Sequence, residues 1–217
     1  MTKRIFITAT NTDIGKTYTT LRLMECYSDM GYRVGVLKPI ETGVSTEAPD
    51  ATLLLQKLHQ INPESLHLNI DDIAPIQLCL PAAPYVAKAR SSIDLTLVDR
   101  ALEKMEQICD ICLIEGAGGL LVPIGKNYFI IDLIKRFDAL ALLISHCNLG
   151  CINDTLLSLE ALKHREIQSI WALNCHNTEK FKSISKPYFD ECFDEYFIVD
   201  RDIEQICQKL LLSKETA

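Results

Sequence analysis

Residues 8–18 read T-A-T-N-T-D-I-G-K-T-Y, and the fold follows from how this stretch is understood. An apolar run, Ile5-Phe6-Ile7, comes just before it, and a long amphipathic segment ending near Gly31 comes just after. A strand, a tight loop and a helix opening at Gly15-Lys16-Thr17 is the layout of a phosphate-binding loop. The backbone N–H groups of such a loop and the positive end of the helix dipole hold phosphate oxygens. Lys16 would reach the outer phosphates and the Thr17 hydroxyl would ligate Mg²⁺. Gly15 lets the backbone come close with no Cβ in the way. The strict pattern of Gly, four residues and Gly-Lys-Ser/Thr fails by one residue, because Thr10 stands where it requires glycine. A bare Gly-Lys-Thr also occurs at ordinary helix starts, so the position between strand and helix carries the reading.

Outward from this loop, apolar bursts of strand length alternate with helical patterns. Strands are expected at 5–8, 34–37, 73–80, 111–114, 140–144, 167–173 and 196–199. Helices are expected at 17–30, 50–60, 82–90, 95–108, 130–137, 150–164, within 178–192 with a break at Pro187, and at 203–212. Residues 38–49 and 115–127 read as loops, and 213–217 as a fraying tail within one domain, 1–217. This alternation predicts an α/β fold. Its mostly parallel sheet of about seven strands has helices on both faces, a three-layer sandwich of the P-loop NTPase kind. In such sheets ligands bind at the C-terminal ends of the strands, so the loops after Thr8, Leu37, Ile114, Ile144 and Leu173 should face one crevice.

Composition narrows the function classes. The net charge of −7 leaves no basic footprint for nucleic acid or an anionic membrane. No apolar run approaches the ~18 residues of a membrane span, and Met1-Thr2-Lys3-Arg4 leads into a first strand, not a signal peptide. The nine cysteines are scattered through apolar surroundings and read as reduced, mostly buried thiols of a cytoplasmic protein. Cys109-Asp110-Ile111-Cys112 has redox or metal spacing but no second such pair, and the five histidines form no ligand cluster.

Several blocks, in order, carry a resemblance. They are Ala9–Thr17, Lys38-Pro39-Ile40-Glu41-Thr42-Gly43, Pro49-Asp50-Ala51, Pro81–Ala87, Glu115-Gly116-Ala117-Gly118-Gly119 with Pro123, and Leu149-Gly150-Cys151-Ile152-Asn153. Together they resemble the dethiobiotin synthetase family of the biotin pathway over roughly residues 3 to 175. The family's phosphate loop is one residue longer than the strict pattern, and Ala9 takes the place of its usual glycine. The resemblance implies a homodimeric enzyme that uses ATP and Mg²⁺ to carboxylate 7,8-diaminopelargonate with CO₂ and close a cyclic urea.

The same resemblance assigns residues. Thr17, Asp50 and Glu115 match the metal ligands. Lys38, Lys16 and Thr12 match the residues that act on the reacting groups. Asp13, Ile14, Gly15, Tyr18, Gly116, Ala117, Gly118 and Asn174 fall at nucleotide positions. Thr12, Lys38, Thr42 and Pro81 fall at substrate positions, as do Gly150, Cys151, Ile152 and Asn153, which the family contributes from the second subunit. For Asp50 a helix N-cap is the competing reading, for Lys38 a surface lysine, and for Gly150–Asn153 a plain capped helix. Departures are Asp13 for the commoner glutamate, Ala83-Pro84-Tyr85 for Ser-Pro-His, and Asp154 for histidine. The later Gly/Pro/Leu-rich loop that frames adenine has no counterpart: residues 190–201 contain neither Gly nor Pro. Altered or relaxed base selectivity is therefore expected. Two rival classes share the phosphate loop. A partition-type switch ATPase would carry lysine where Asn11 stands, and a cobyrinate-type amide-forming synthetase usually brings a glutaminase domain.

Overall fold

The run Ile5-Phe6-Ile7 lies in β1 (Lys3–Ala9), and side chains from Ile5 to Ala9 are fully buried. Parallel neighbours flank it on both edges: β5 (Ile111–Gly119) and β8 (Leu140–His146). A strand covered on both faces and paired on both edges buries side chains along its whole length, which is why these strands read as mostly Ile/Leu/Val runs. β2 (Val34–Leu37) adds beyond β5, β9 (Ser169–Asn174) beyond β8, and β10 (Phe197–Ile198) beyond β9. The structure, a computed structural model, describes residues 2–175 and 178–213.

The main sheet therefore has six parallel strands, in the order β10-β9-β8-β1-β5-β2, and not about seven. The missing member is the expected strand 73–80. Asn69 accepts hydrogen bonds from Asp71 N and Asp72 N while Asp72 accepts one from Asn69 N. This capping box turns Ile70–Ile73 into a short helix, α3, and consumes the start of that strand. What remains, β4 (Ile76–Leu78), pairs with β3 (Ile40–Thr42), a strand inside the segment expected to be loop. The other expected loop, 115–127, also differs. β5 runs on through Glu115 to Gly119, and β6 (Pro123–Gly125) and β7 (Tyr128–Phe129) form a small antiparallel hairpin.

Right-handed crossovers place the helices. α1 (Lys16–Asp29) carries the chain from β1 over β5 to β2. The later connections run the opposite way along the sheet. The expected helix 82–90 is the short α4 (Pro84–Ala87), and α5 (Thr96–Glu106), α6 (Ile130–Arg136) and α7 (Cys151–His164) cover the other face. Arg136 with Asp99, and Arg165 with Asp132, tie that layer together. α2 (Pro49–Ile61) and α10 (Val199–Leu212) join α1 on its own face, where Tyr27 Oη donates to Cys207 O at 3.2 Å.

The stretch expected to break at Pro187 instead parts at Ser185. α8 (Thr178–Ile184) ends there, and Pro187 sits in the first turn of α9 (Lys186–Cys192), where its missing N–H costs nothing. Trp171 packs against Phe189, Phe193 and Tyr196, so this segment caps the β9–β10 end. Ser213 is held, with its carbonyl taking a 2.6 Å bond from Lys3 Nζ; residues 214–217 of the expected tail lie outside the described residues. One pair departs from the reading of all thiols as reduced. Cys147 and Cys175, just past β8 and β9, are joined by a disulfide with their Cα atoms 5.2 Å apart. Cys109 and Cys112 are free and buried.

Candidate active site

β1 is where the sheet's connections reverse direction, and its C-terminal end opens into a cavity of about 440 Å³. Five segments supply its floor and walls: Thr12, Asp13 and Gly15–Thr17, Lys38, Ile40–Thr42, Asp50 in the first turn of α2, and Ala117–Gly118. The phosphate loop is locked from outside. Gly15 has φ +94°, and a Cβ there would come within 2.0 Å of Asn174 Nδ2. That amide donates to Ile14 O at 2.9 Å, so glycine at 15 is required both by conformation and by the close approach of β9. Lys16 Nζ curls over the loop and donates to Asn11 O at 3.1 Å.

Opposite the loop lies a charge cluster. Lys38 follows β2, is 4% exposed, and places Nζ between Asp50 and Glu115 Oε1, the latter at 2.7 Å. Glu115, within β5 and wholly buried, also accepts from Thr17 Oγ1 at 2.8 Å. One lysine, two carboxylates and a hydroxyl from four segments thus meet at one point. Burial works against the charge on Lys38, but Glu115 and Asp50 outweigh it and raise the ammonium's pKa above the ordinary lysine value. Lys16 goes the other way: burial first, then the nearby Lys38 charge, lowers it to about 8.

Sequence reasoning missed Glu41 and Ile40 as lining residues. Glu41 is 3% exposed, and its carboxylate accepts from Asp50 N at 2.8 Å and Ala51 N at 3.0 Å. Burial pushes its carboxyl pKa up even against those bonds. The only signal in the chain was an acid inside an otherwise apolar and small-residue block, Pro39–Gly43. The N-cap reading of Asp50 does not hold: the N-cap of α2 is Ala48, and Asp50 turns its side chain to Lys38.

The remaining predicted positions separate. Thr12, Asp13, Thr42, Ala117 and Gly118 line the cavity. Pro81 backs Gly43, where an added Cβ would sit 3.3 Å from it. Gly116 lies within β5, where an added Cβ would come within 2.9 Å of the Phe6 ring, so it serves packing. Tyr18 is partly exposed, and its hydroxyl donates to Asp200 in the first turn of α10. Asn174 stands behind the loop with a buried Oδ1 that has no partner. Gly150–Asn153 open α7, with Gly150 at φ +99°, and do not line this cavity.

The donor set suits Mg²⁺. Among the described residues no group of three or more His, Cys, Asp and Glu could cage a metal alone. Thr17, Asp50 and Glu115 offer instead a partial oxygen set, and Mg²⁺ takes few protein oxygens and keeps waters and phosphate oxygens. Glu115 Oε2 is buried with no hydrogen-bond partner, a costly arrangement that a cation would relieve.

A family model described as "AAA domain" matches residues 3–210. A relative from Sulfurovum sp. strain NBC37-1, named ATP-dependent dethiobiotin synthetase BioD, is 44% identical and covers 95% of this chain and 99% of its own. One of the same name from Wolinella succinogenes is 39% identical over 96% and 98% of the two chains. Among solved structures, a putative plasmid partition protein from Borrelia burgdorferi bound to AMPPNP superposes with a TM-score of 0.58 at 12% identity, covering 97% of this chain and 98% of its own. A GTPase from Pyrococcus abyssi does so with 0.56 at 14%, covering 98% of each. These structures share the fold, and the sequence relatives match over nearly the whole chain. The chain belongs to the dethiobiotin synthetase family.

Proposed function

We propose that this protein is a dethiobiotin synthetase, a cyclo-ligase that converts 7,8-diaminopelargonate, CO₂ and ATP into dethiobiotin, ADP and phosphate. The observation that carries the reading is the meeting of Lys38, Asp50, Glu115 and Thr17 across from the Lys16 loop in one cavity. A switch ATPase needs the phosphate loop but has no use for a second buried lysine on the far wall.

In this reaction one amine of the diamine adds to CO₂ and loses a proton, giving a carbamate. A carbamate oxygen attacks the γ-phosphorus and displaces ADP, forming a carbamic-phosphoric anhydride. The second amine attacks the carbonyl carbon and gives up one proton to solvent, phosphate leaves, and the ring closes. Phosphoryl transfer asks chiefly for positioning and charge stabilisation. Lys38 holds its proton across the physiological range, so it serves as a fixed cation for the carbamate and not as a base. Lys16 and the loop N–H groups grip the phosphates. Thr17, Asp50 and Glu115 would hold Mg²⁺, which offsets charge on the phosphoryl oxygens. Thr12, Thr42 and Pro81 border the diamine, Ala117 and Gly118 the nucleotide, and Asn174 Oδ1 awaits a donor from the base.

The α7 start, Gly150–Asn153, would receive the substrate's distal carboxylate from a second copy of the chain. An apolar groove beside the site supports such a homodimer: Leu120, Leu121, Val122, Leu157 and Ala161 line it next to Thr10 and Asn11, with Leu121 and Leu157 well exposed. A cytoplasmic location is part of the same proposal, since the reaction consumes ATP. The test is phosphate release measured with each component omitted. Release should require both the diamine and bicarbonate, and release independent of the diamine would remove this reading.

A further inference from the structure

We propose that Glu41 is a positioning residue that sets the protein's metal affinity by holding Asp50 in place. The inference rests on the reading of Asp50 as a metal ligand. A helix leaves its first N–H groups without partners, and the residue at the N-cap normally accepts from the second and third of them. In α2 that residue is Ala48, whose side chain can accept nothing. Pro49 follows and has no N–H to satisfy. The second and third donors belong to Asp50 and Ala51, and both are taken by Glu41, one oxygen each, at 2.8 and 3.0 Å. Glu41 therefore does from a different strand what a Ser or Asp at position 48 would do locally.

This arrangement couples two walls of the cavity. Glu41 sits on β3, three residues after Lys38, and its backbone position is set by pairing with β4. By gripping the amide of Asp50 itself, it fixes where the Asp50 carboxylate projects toward Lys38 and Glu115. Both Glu41 oxygens are occupied by these amides, so Glu41 acts through Asp50 and not on the metal. A capping serine would satisfy the helix but would not tie it to the strand that follows Lys38.

The test titrates Mn²⁺, as a spectroscopic stand-in for Mg²⁺, into the full chain with a non-hydrolysable ATP analogue, reading free Mn²⁺ by electron paramagnetic resonance. Thermal unfolding is followed in parallel. Loss of a group that orients a ligand typically costs 10–100-fold in metal affinity. Glu41→Gln leaves one acceptor and points an amide at the other N–H, and should weaken Mn²⁺ binding by roughly tenfold. Adding Ala48→Ser to Glu41→Gln restores the helix cap locally, so thermal stability should recover while Mn²⁺ affinity recovers only in part. Asp50→Asn is the control for the underlying reading. If Asp50→Asn weakens Mn²⁺ binding and Glu41→Gln, alone or with Ala48→Ser, does not, the inference is wrong and the site reading stands. If Asp50→Asn leaves the affinity unchanged, both fall. Should Glu41→Gln alone not fold, the double variant still decides: wild-type Mn²⁺ affinity in it overturns the coupling.

Discussion

Replacing Lys38 by methionine keeps most of the length of the side chain and removes the ammonium with its charge and its hydrogen bonds to Asp50 and Glu115. The consequence can be worked from the geometry. At 2.7 Å, the attraction between Lys38 Nζ and Glu115 Oε1 is about 6 kcal/mol at an effective dielectric of 20. Against it stands the cost of keeping both ions out of water, several kcal/mol each. The net value of the pair is therefore small. Breaking it is not small, because a fully buried carboxylate then has no counter-charge, which typically costs about 3–5 kcal/mol. For a chain of this size that lowers Tm by roughly 6–20 °C. Lys38 has its pKa raised on folding, so its contribution is fully present below the ordinary lysine pKa of about 10.4 and is lost only as pH rises through the still higher folded value. The Tm difference should therefore not shrink between neutral and mildly alkaline pH. Phosphate release should fall by at least about a hundredfold, the usual cost of losing one preorganised charge contact to a transition state. Adding Glu115→Gln to Lys38→Met should recover part of the stability and none of the turnover, since the orphaned charge is then gone but the metal ligand with it. Circular dichroism melts and a coupled phosphate assay measure both quantities. A Lys38→Met protein that melts at the wild-type temperature, or that turns over normally, would refute the reasoning.

Three further outcomes are expected. Lys16, with its pKa near 8, is partly deprotonated in mildly alkaline solution, and a triphosphate at the loop should restore its proton. Nucleotide binding should therefore take up protons at pH above about 8 and weaken by up to about tenfold per pH unit there; calorimetry in two buffers of different ionisation heat detects the uptake, and none observed would contradict the site's electrostatics. α10 begins at Val199 directly after β10, with Tyr18 bonded to Asp200 in its first turn, and residues 190–201 contain neither Gly nor Pro. Competition among ATP, GTP and CTP should show weak discrimination, and a strong ATP preference would sink that expectation. Leu157→Glu, placed in the exposed groove, should convert a dimer to a monomer in sedimentation and raise the KM for the diamine far more than that for the nucleotide; an unchanged sedimentation coefficient would exclude this face as the interface.

Much of the fold was legible because burial on both faces forces a strand to be apolar along its whole length, and that signal is local. Val34–Leu37 was read to the residue. Misreadings fell where local and distant causes compete. Ile73–Leu80 looks like a strand by hydrophobicity, yet the Asn69 capping box claims its first residue, Ile73, for a helix. Glu115 reads from the sequence as the first residue of a glycine-rich loop, yet pairing with β1 keeps it in the strand, facing Thr17 and Lys38.

By itself, then, the sequence determined the α/β alternation, the phosphate loop and most of the residues that line the cavity, because each of these depends on residue type and short-range spacing. Only the tertiary structure decided which of those residues meet. Thr17, Lys38, Asp50 and Glu115 lie on four segments of the chain, and their contact is set by strand order and crossover hand, which no local pattern encodes. The same holds for Glu41. As a residue it is one acid in a short block, and it becomes a cap for α2 only because β3 pairs with β4 and lays it beside the first turn of that helix.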